Sequence, residues 1–227
     1  MDTTARLVPT RTPPRPDGAV IVLHGGGRGG ARPVSPAQLS VLRMIPIAHR
    51  VAHAGRGRLA VWRLLNSVRG WNAALTPVDD VRWALGQLRA QLPPATPIGL
   101  VGHSLGGRAA ILSAGEHDVR SVVALASYVY PHDGDVDATG RQVVFVHGTA
   151  DRVADPEKAF AAARRLARTA HVGVVQVRDG DHAMLRRHRV FADLAASFTT
   201  AALLGRPPAD PHGPLGRILD GASCTVA

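Results

Sequence analysis

The chain has 227 residues, of which 45% are hydrophobic, and its formal net charge is +10. This length and apolar content fit a single globular domain with a sizeable core, and they exclude a disordered or collagen-like chain. Nearly all of the positive charge comes from arginine, since Lys158 is the only lysine. The arginines are scattered and no aromatic residues alternate with them, which favours a solvated basic surface over a nucleic-acid-binding one.

Cysteine content and apolar runs indicate where the protein resides. Cys224 is the single cysteine, so the chain cannot form an internal disulfide and does not depend on an oxidising compartment. Residues 1–17 are rich in proline and arginine and lack the apolar run of a signal peptide, and no apolar stretch is long enough to cross a bilayer. We therefore expect a cytoplasmic protein with no membrane or nucleic-acid partner.

The first third of the chain predicts an arm, two strands and one helix. Residues 1–18 are expected to form an irregular arm or a short edge strand. The β-rich apolar residues 19–23 predict a strand buried on both faces, and a glycine-rich loop follows it. Ser35 and Pro36 resemble a helix start, so a helix is predicted from there to about residue 54. Residues 58–64 predict the next strand.

Strands and helices then alternate to the end of the predicted domain, residues 19–204. A helix opens at Thr76 and stops before Pro93, and Trp83 on this helix is expected to belong to the core. The other predicted strands are residues 98–101, 121–126, 143–146 and 172–177, and the other helices follow Ser104, begin at Asp155 and cover residues 186–204. Residues 205–227 are rich in proline and glycine and are expected to lie on the surface as a tail.

This alternation predicts an α/β fold with a doubly wound, mostly parallel sheet of about six strands and helices on both faces. In such sheets, sites form outside the carboxyl ends of the strands. The places to search therefore follow residues 23, 101, 126, 146 and 177.

The first such place that carries chemistry is the segment around Ser104. An apolar strand leads into Gly102-His103-Ser104-Leu105-Gly106, and a helix-forming stretch follows. Gly-x-Ser-x-Gly between a strand and a helix is typical of a nucleophile elbow, in which the serine stands on a strained turn with its hydroxyl exposed. A glycine-rich turn with an ordinary N-cap serine has the same pattern, so the other strand ends must decide.

Two other strand ends supply the groups that a serine nucleophile needs. Asp151 follows the strand at 143–146, and His182 follows the strand at 172–177. A histidine must take the serine proton, and a carboxylate must orient that histidine. The order Ser104, Asp151, His182 is the expected chain order for this architecture. Asp133 and Asp135 remain alternatives for the acid.

The glycine-rich loop after residue 23 predicts an oxyanion hole. One donor is expected to be the N–H of Leu105, and the second the N–H of Gly26, with Gly25 and Gly27 as neighbours that could replace it. A loop that cradles phosphate is the competing interpretation, but the lysine and hydroxyl residue of a P-loop are missing.

Together these motifs resemble the α/β-hydrolase family. The pentapeptide around Ser104 is similar to the elbow of the family, and His24-Gly25-Gly26-Gly27 to its oxyanion loop. The turns that end in Asp151 and His182 resemble its acid turn and histidine loop. The resemblance places the chain among small cap-less esterases similar to dienelactone hydrolases, because residues 126–142 are too few for a cap domain. It implies no metal and no cofactor.

The resulting hypothesis is a serine hydrolase that cleaves a small-molecule carboxylic ester through an acyl-enzyme. Trp71 is a candidate wall of the acyl pocket, and Arg28 a candidate contact for an anionic substrate. The same three catalytic residues would serve a thioesterase, lactonase, amidase or acyltransferase, since a fold does not determine a reaction. A hydrolase fold kept only as a binding module is a further alternative.

Overall fold

A single eight-stranded sheet forms the centre of the structure, a computed structural model that describes residues 4–27, 32–71 and 74–227. In chain order the strands are β1 (Arg6–Arg11), β2 (Gly18–Leu23), β3 (Leu59–Leu65), β4 (Ile98–His103), β5 (Val119–Leu125), β6 (Gln142–Gly148), β7 (His171–Val177) and β8 (Cys224–Val226). Their order across the sheet is β1-β3-β2-β4-β5-β6-β7-β8. Among these strands, β1 pairs with β3 in the antiparallel direction, and the other neighbours pair in parallel.

Helices cover both faces of this sheet, so the predicted doubly wound α/β fold is confirmed. They are α1 (Leu39–Leu42), α2 (Met44–Ala54), α3 (Thr76–Gln91), α4 (Leu105–Leu112), α5 (Pro156–Leu166), α6 (His188–Leu204) and α7 (Pro214–Leu219). One apolar cluster joins α3, α4 and α5 to one face of the sheet. A second cluster joins α2, α6 and α7 to the other face. Every residue of β2 is buried, as its continuous apolar run predicted.

The sheet has two more strands than the six expected. The first is β1, which the N-terminal arm forms as an edge strand. The second is β8, which belongs to the segment expected to be a surface tail and pairs in parallel with β7. Leu215 and Ile218 of α7 are buried, and Ile218 packs against Gly173 of β7, where a side chain would leave it no room. These apolar contacts attach the segment to the sheet. Its proline and glycine content had predicted a surface tail instead.

The helix expected to start at Ser35 begins later and is divided in two. Ser35 instead closes a turn, in which its carbonyl accepts a hydrogen bond from the N–H of Gln38 at 3.0 Å. After α1, the chain starts a new helix beyond Arg43. This second start leaves Pro46 in the first turn of α2, where its missing N–H costs no hydrogen bond. A continuous helix over residues 35–54 would have placed that proline in its interior.

Trp83 is not a core residue: 40% of it is exposed on α3. Helix residues advance by about 100° each, so a residue two positions after buried Val81 lies on the opposite side of the helix. Val81, Leu85 and Leu88 form the buried face, as their spacing predicted. The size and apolarity of the indole do not override the helical period.

The parallel strands bring the loops after β2, β4, β6 and β7 to one edge of the sheet. The connection from β5 to β6 contains only a 3₁₀ turn, Pro131–Asp135, and adds no cap over this edge.

Within the described residues, no helix has both the length and the apolar content needed to cross a membrane.

The contact between β4 and α4 yields a prediction about stability. A Cβ at Gly102 would lie 2.2 Å from the carbonyl oxygen of Gly106, and backbone cannot yield as a side chain can. We expect Gly102→Ala to lower the free energy of unfolding by about 3 kcal/mol or more, measured by urea denaturation. Gly86→Ala is the matched control, because a Cβ there meets nothing within 4 Å. It should stabilise α3 by roughly 0.5–1 kcal/mol. Equal effects of the two substitutions would contradict this account of the contact.

Candidate active site

Ser104 stands at the sharp turn between β4 and α4. Its backbone has φ 54° and ψ −119°, a conformation that strains a residue with a side chain. Hydrogen bonds hold this conformation: the Ser104 N–H donates to Leu125 O at 2.9 Å, and the Tyr128 N–H donates to Ser104 O at 3.2 Å. The turn can close because Gly102 and Gly106 let the strand and the helix touch. The local geometry is therefore that of the predicted elbow.

His182 joins Ser104 to Asp151, three residues that the sequence places far apart. Its Nε2 lies 3.0 Å from Ser104 Oγ, and its Nδ1 lies 2.9 Å from Asp151 Oδ2. Both distances are within hydrogen-bond range. With a proton on Nδ1, the imidazole donates to the carboxylate and its Nε2 can accept the serine proton. The arrangement thus allows His182 to exchange a proton with Ser104 while Asp151 holds the ring in place.

Asp151 is held as a carboxylate by an almost complete set of donors. Burial alone would raise its pKa, but hydrogen bonds from His147 and His182 and from the N–H groups of Ala154 and Val153 outweigh burial, and the pKa lies well below its usual value. The two backbone N–H groups reach Oδ1 at 2.9 and 2.8 Å, while His147 Nε2 lies 3.1 Å from Oδ2. The negative charge opposite His182 is therefore permanent at neutral pH and fixed in direction.

His103, next to the serine in the sequence, supports the histidine loop. Its Nε2 lies 2.8 Å from the carbonyl oxygen of His182, to which it can donate, and the two rings are 5.1 Å apart. Burial lowers the pKa of His103 to about 3, although the bond to His182 O opposes that shift. The imidazole is therefore neutral at ordinary pH and positions His182 through its backbone.

The glycine loop after β2 lies against the start of α4. The N–H of Gly27 already donates to Arg69 O at 3.2 Å. A Cβ at Gly26 would lie 2.6 Å from that same oxygen and 3.4 Å from a methyl carbon of Leu105. Leu105 is the first residue of α4, where an N–H has no acceptor within its own helix. These contacts favour Gly26 over Gly27 as the partner of Leu105 in an oxyanion hole.

Asp133 and Asp135, the alternative acids, bind arginines instead of His182. Asp133 is buried and receives two hydrogen bonds from Arg108, at 2.8 and 3.0 Å. Asp135 pairs with Arg165 and Arg168 at the surface. Of the three candidate carboxylates, Asp151 is the one that the structure brings to the imidazole.

A cavity of about 780 Å³ opens above Ser104. Trp71 lines it, as expected of a pocket wall, whereas Arg28 lies outside the described residues. Several lining residues carried no signal in the sequence, namely Ser40, Arg43, Arg108, Tyr128, Tyr130 and Val153. Ser40, Arg43 and Arg108 lie within or between helices, where no strand end marks them, whereas Tyr128, Tyr130 and Val153 lie in the loops that follow β5 and β6.

No group of three or more histidine, cysteine, aspartate or glutamate side chains suited to a metal ion occurs in residues 4–27, 32–71 and 74–227. The carboxylate and imidazoles at this site are instead engaged with one another and with backbone groups. The chemistry that the arrangement offers is proton transfer to and from a hydroxyl.

Comparison with known proteins gives one family match over part of the chain. Residues 87–189, which include Ser104, Asp151 and His182, match the alpha/beta hydrolase family. No curated protein sequence matches the chain.

Solved structures match nearly the whole chain. Est1E from Butyrivibrio proteoclasticus shares 15% identity over 89% of this chain and 94% of its own, with a TM-score of 0.65. The esterase domain of a Rhodothermus marinus protein shares 17% identity over 88% and 98%, with a TM-score of 0.59. An acetyl ester-xyloside bifunctional hydrolase from Caldicellulosiruptor lactoaceticus shares 14% identity over 87% and 88%, with a TM-score of 0.67.

The neutral, buried His103 leads to a prediction about pH. Because its pKa in the folded state lies below the ordinary value of 6.5, the unfolded chain binds more protons as pH falls from about 6.5 towards 3, and folding loses stability in that window. We expect the free energy of unfolding to fall less steeply between pH 7 and 4 in His103→Gln than in the parent protein. One proton corresponds to about 1.4 kcal/mol per pH unit.

Urea denaturation across this pH range measures the difference. His188→Gln is the control, because His188 is exposed on α6 and its replacement should leave the slope unchanged. A slope in His103→Gln equal to that of the parent would show that His103 is not held neutral.

Proposed function

We propose that this chain, which has the α/β-hydrolase fold, is a serine hydrolase that cleaves carboxylic esters through an acyl-enzyme. The observation that carries the proposal is the unbroken hydrogen-bonded path from Ser104 Oγ through His182 to Asp151, open to a cavity at its serine end. The esterases among the structural neighbours support ester cleavage as the reaction type. The substrate is a small molecule in this proposal, and no metal or cofactor takes part.

The proposed mechanism uses the three side chains and two backbone N–H groups in turn. His182 Nε2 takes the proton of Ser104 as Oγ attacks the ester carbonyl, and Asp151 stabilises the imidazolium that forms. The N–H groups of Leu105 and Gly26 stabilise the negative oxygen of the tetrahedral intermediate. His182 then gives the proton to the leaving alcohol. A water molecule, deprotonated by the same imidazole, cleaves the acyl-serine and returns the enzyme to its starting state.

Replacing the nucleophile tests the proposal directly. We expect Ser104→Ala to abolish hydrolysis of short-chain aryl esters and covalent labelling by a fluorophosphonate, because both require the Ser104 hydroxyl. Ser113→Ala is the matched control. Ser113 follows α4 at its other end, and its buried Oγ has no hydrogen-bond partner among the described residues, so this variant should keep full activity.

Activity that survives Ser104→Ala would overturn the mechanism. Absence of both labelling and hydrolysis in the parent protein would favour a binding module. Acyl thioesters, lactones and amides in the same panel identify which bond is cleaved fastest.

The carboxylate gives a second, graded prediction. Asp151→Asn keeps the shape of the side chain, but the amide favours the wrong imidazole tautomer and removes the charge that stabilises the imidazolium. We expect kcat to fall by about 10³–10⁴. Asp135→Asn, at the surface beside Arg165, should leave kcat unchanged. Steady-state kinetics on one aryl ester compare the two variants, and a larger loss in Asp135→Asn would reassign the acid.

A further inference from the structure

Arg43 is a cation of the cavity that has no counter-charge. It lies between α1 and α2 and lines the cavity together with Ser104 and His182. Its Nε is buried without a hydrogen-bond partner, and none of the residues described forms an ion pair with its side chain. Arg43 is half-buried, so its Nε is withdrawn from water while the side chain reaches the cavity, and a polar group that is desolvated without a partner is unfavourable. Something other than the described protein groups is expected to complete this site.

The second arginine of the cavity shows the contrast. Arg108 binds both oxygens of Asp133 and lies between two rings, with its guanidinium carbon 4.5 Å from the centre of Trp71 and 4.9 Å from that of Tyr130. Its charge is neutralised by Asp133 and the plane of its guanidinium is fixed, so Arg108 forms part of the cavity wall. Arg63 also has a buried Nε without a partner, but it does not line the cavity. Among the described arginines, Arg43 is the one that combines a buried Nε without a partner with a place on the lining of the cavity above the serine.

The remaining lining adds no negative charge. Among the described residues around the cavity there is no aspartate or glutamate. Asp151 lies behind His182 with its side chain fully buried. The positive charge of Arg43 extends to His103, whose pKa it helps to lower after the larger effect of burial. The described lining of the cavity therefore offers the charge of Arg43 with no carboxylate beside it, an arrangement that suits an anion.

We propose that Arg43 binds a carboxylate on the substrate, so that the site takes esters that carry a free carboxylate in addition to the ester group. The proposal rests on the hydrolytic function proposed above and deepens it by naming the substrate class. A planar guanidinium matches a carboxylate through paired hydrogen bonds, and such charge-assisted bonds are among the stronger polar contacts. Arg43 is then a specificity-determining residue.

Two pairs of esters test this class. Phenyl hydrogen adipate and phenyl methyl adipate differ by a carboxylate on the acyl part. The pair 4-acetoxybenzoate and methyl 4-acetoxybenzoate differ by a carboxylate on the alcohol part. We expect kcat/KM of the parent protein to favour the charged member of at least one pair, after correction for the uncatalysed rates. Arg43→Gln should reduce that preference about tenfold or more, and Arg43→Lys should retain part of it.

Arg178→Gln is the matched control for charge. Arg178 directly follows β7 at the same edge of the sheet, and its side chain is exposed and pairs with no described carboxylate. This variant loses the same charge but should keep the preference of the parent. An equal loss in both variants would mean that the overall field, and not Arg43, selects the substrate. A preference that Arg43→Gln leaves intact would overturn the proposal.

Binding without turnover separates this inference from the hydrolytic proposal. Calorimetric titration of Ser104→Ala with 4-hydroxybenzoate and with monomethyl adipate measures anion binding alone. If Arg43→Gln weakens this binding about tenfold but the parent protein cleaves no ester, the anion site would be supported and the hydrolytic function would be contradicted. Hydrolysis that depends on Ser104, with neither binding nor selectivity dependent on Arg43, would sustain the hydrolase and remove the anion site.

Discussion

The approach of α4 to β4 is the constraint on which the site depends. The two elements meet backbone to backbone at Gly102 and Gly106, and Gly106 also touches the end of β2, with a Cβ there falling 2.5 Å from His24 O. No side chain fits at either contact. The turn between them therefore has one available shape, which points Ser104 away from the sheet. The glycines at these contacts therefore contribute more to the position of Ser104 than a hydrogen bond to its own side chain does.

A second set of contacts brings the imidazole to that serine. Asp151 receives two hydrogen bonds from N–H groups of its own turn, and His147 Nε2 lies 3.1 Å from its Oδ2, so that its direction is set before His182 is considered. His103 fixes the histidine loop from the other side through the carbonyl of His182. The carboxylate and the buried neighbour of the nucleophile thus constrain the imidazole at two different points. The position of the imidazole relative to the Ser104 hydroxyl is therefore set by groups that do not contact that hydroxyl.

The parts of the fold and site that could be predicted are those that a short motif or a period specifies. Buried strands such as β2 are recognisable in the sequence as continuous apolar runs. The rule that sites lie at strand ends predicts that Ser104, Asp151 and His182 meet at one edge of the sheet, as they do. The cavity residues that lie on or between helices could not be found this way. Arg43 belongs to a helix break that Pro46 imposes, and Arg108 becomes a wall only through Asp133, which is distant in the chain. Tertiary pairing of this kind leaves no local pattern.

The errors have the same origin. Trp83 is expected in the core because it lies on a helix face, but the period of α3 turns it outward. The last segment was assigned to the surface by composition, although Ile218 and Thr225 find places against β7. In both cases the packing geometry at a particular position decided burial, and the average preference of the residue type did not.

The strained backbone of Ser104 means that durability and turnover pull in opposite directions at this position. A φ of 54° suits glycine better than serine, so a protein selected only for resistance to heat would gain by discarding its nucleophile. Directed evolution of this chain for thermal tolerance therefore needs a catalytic screen in every round, since the fold alone offers no reason to keep the hydroxyl.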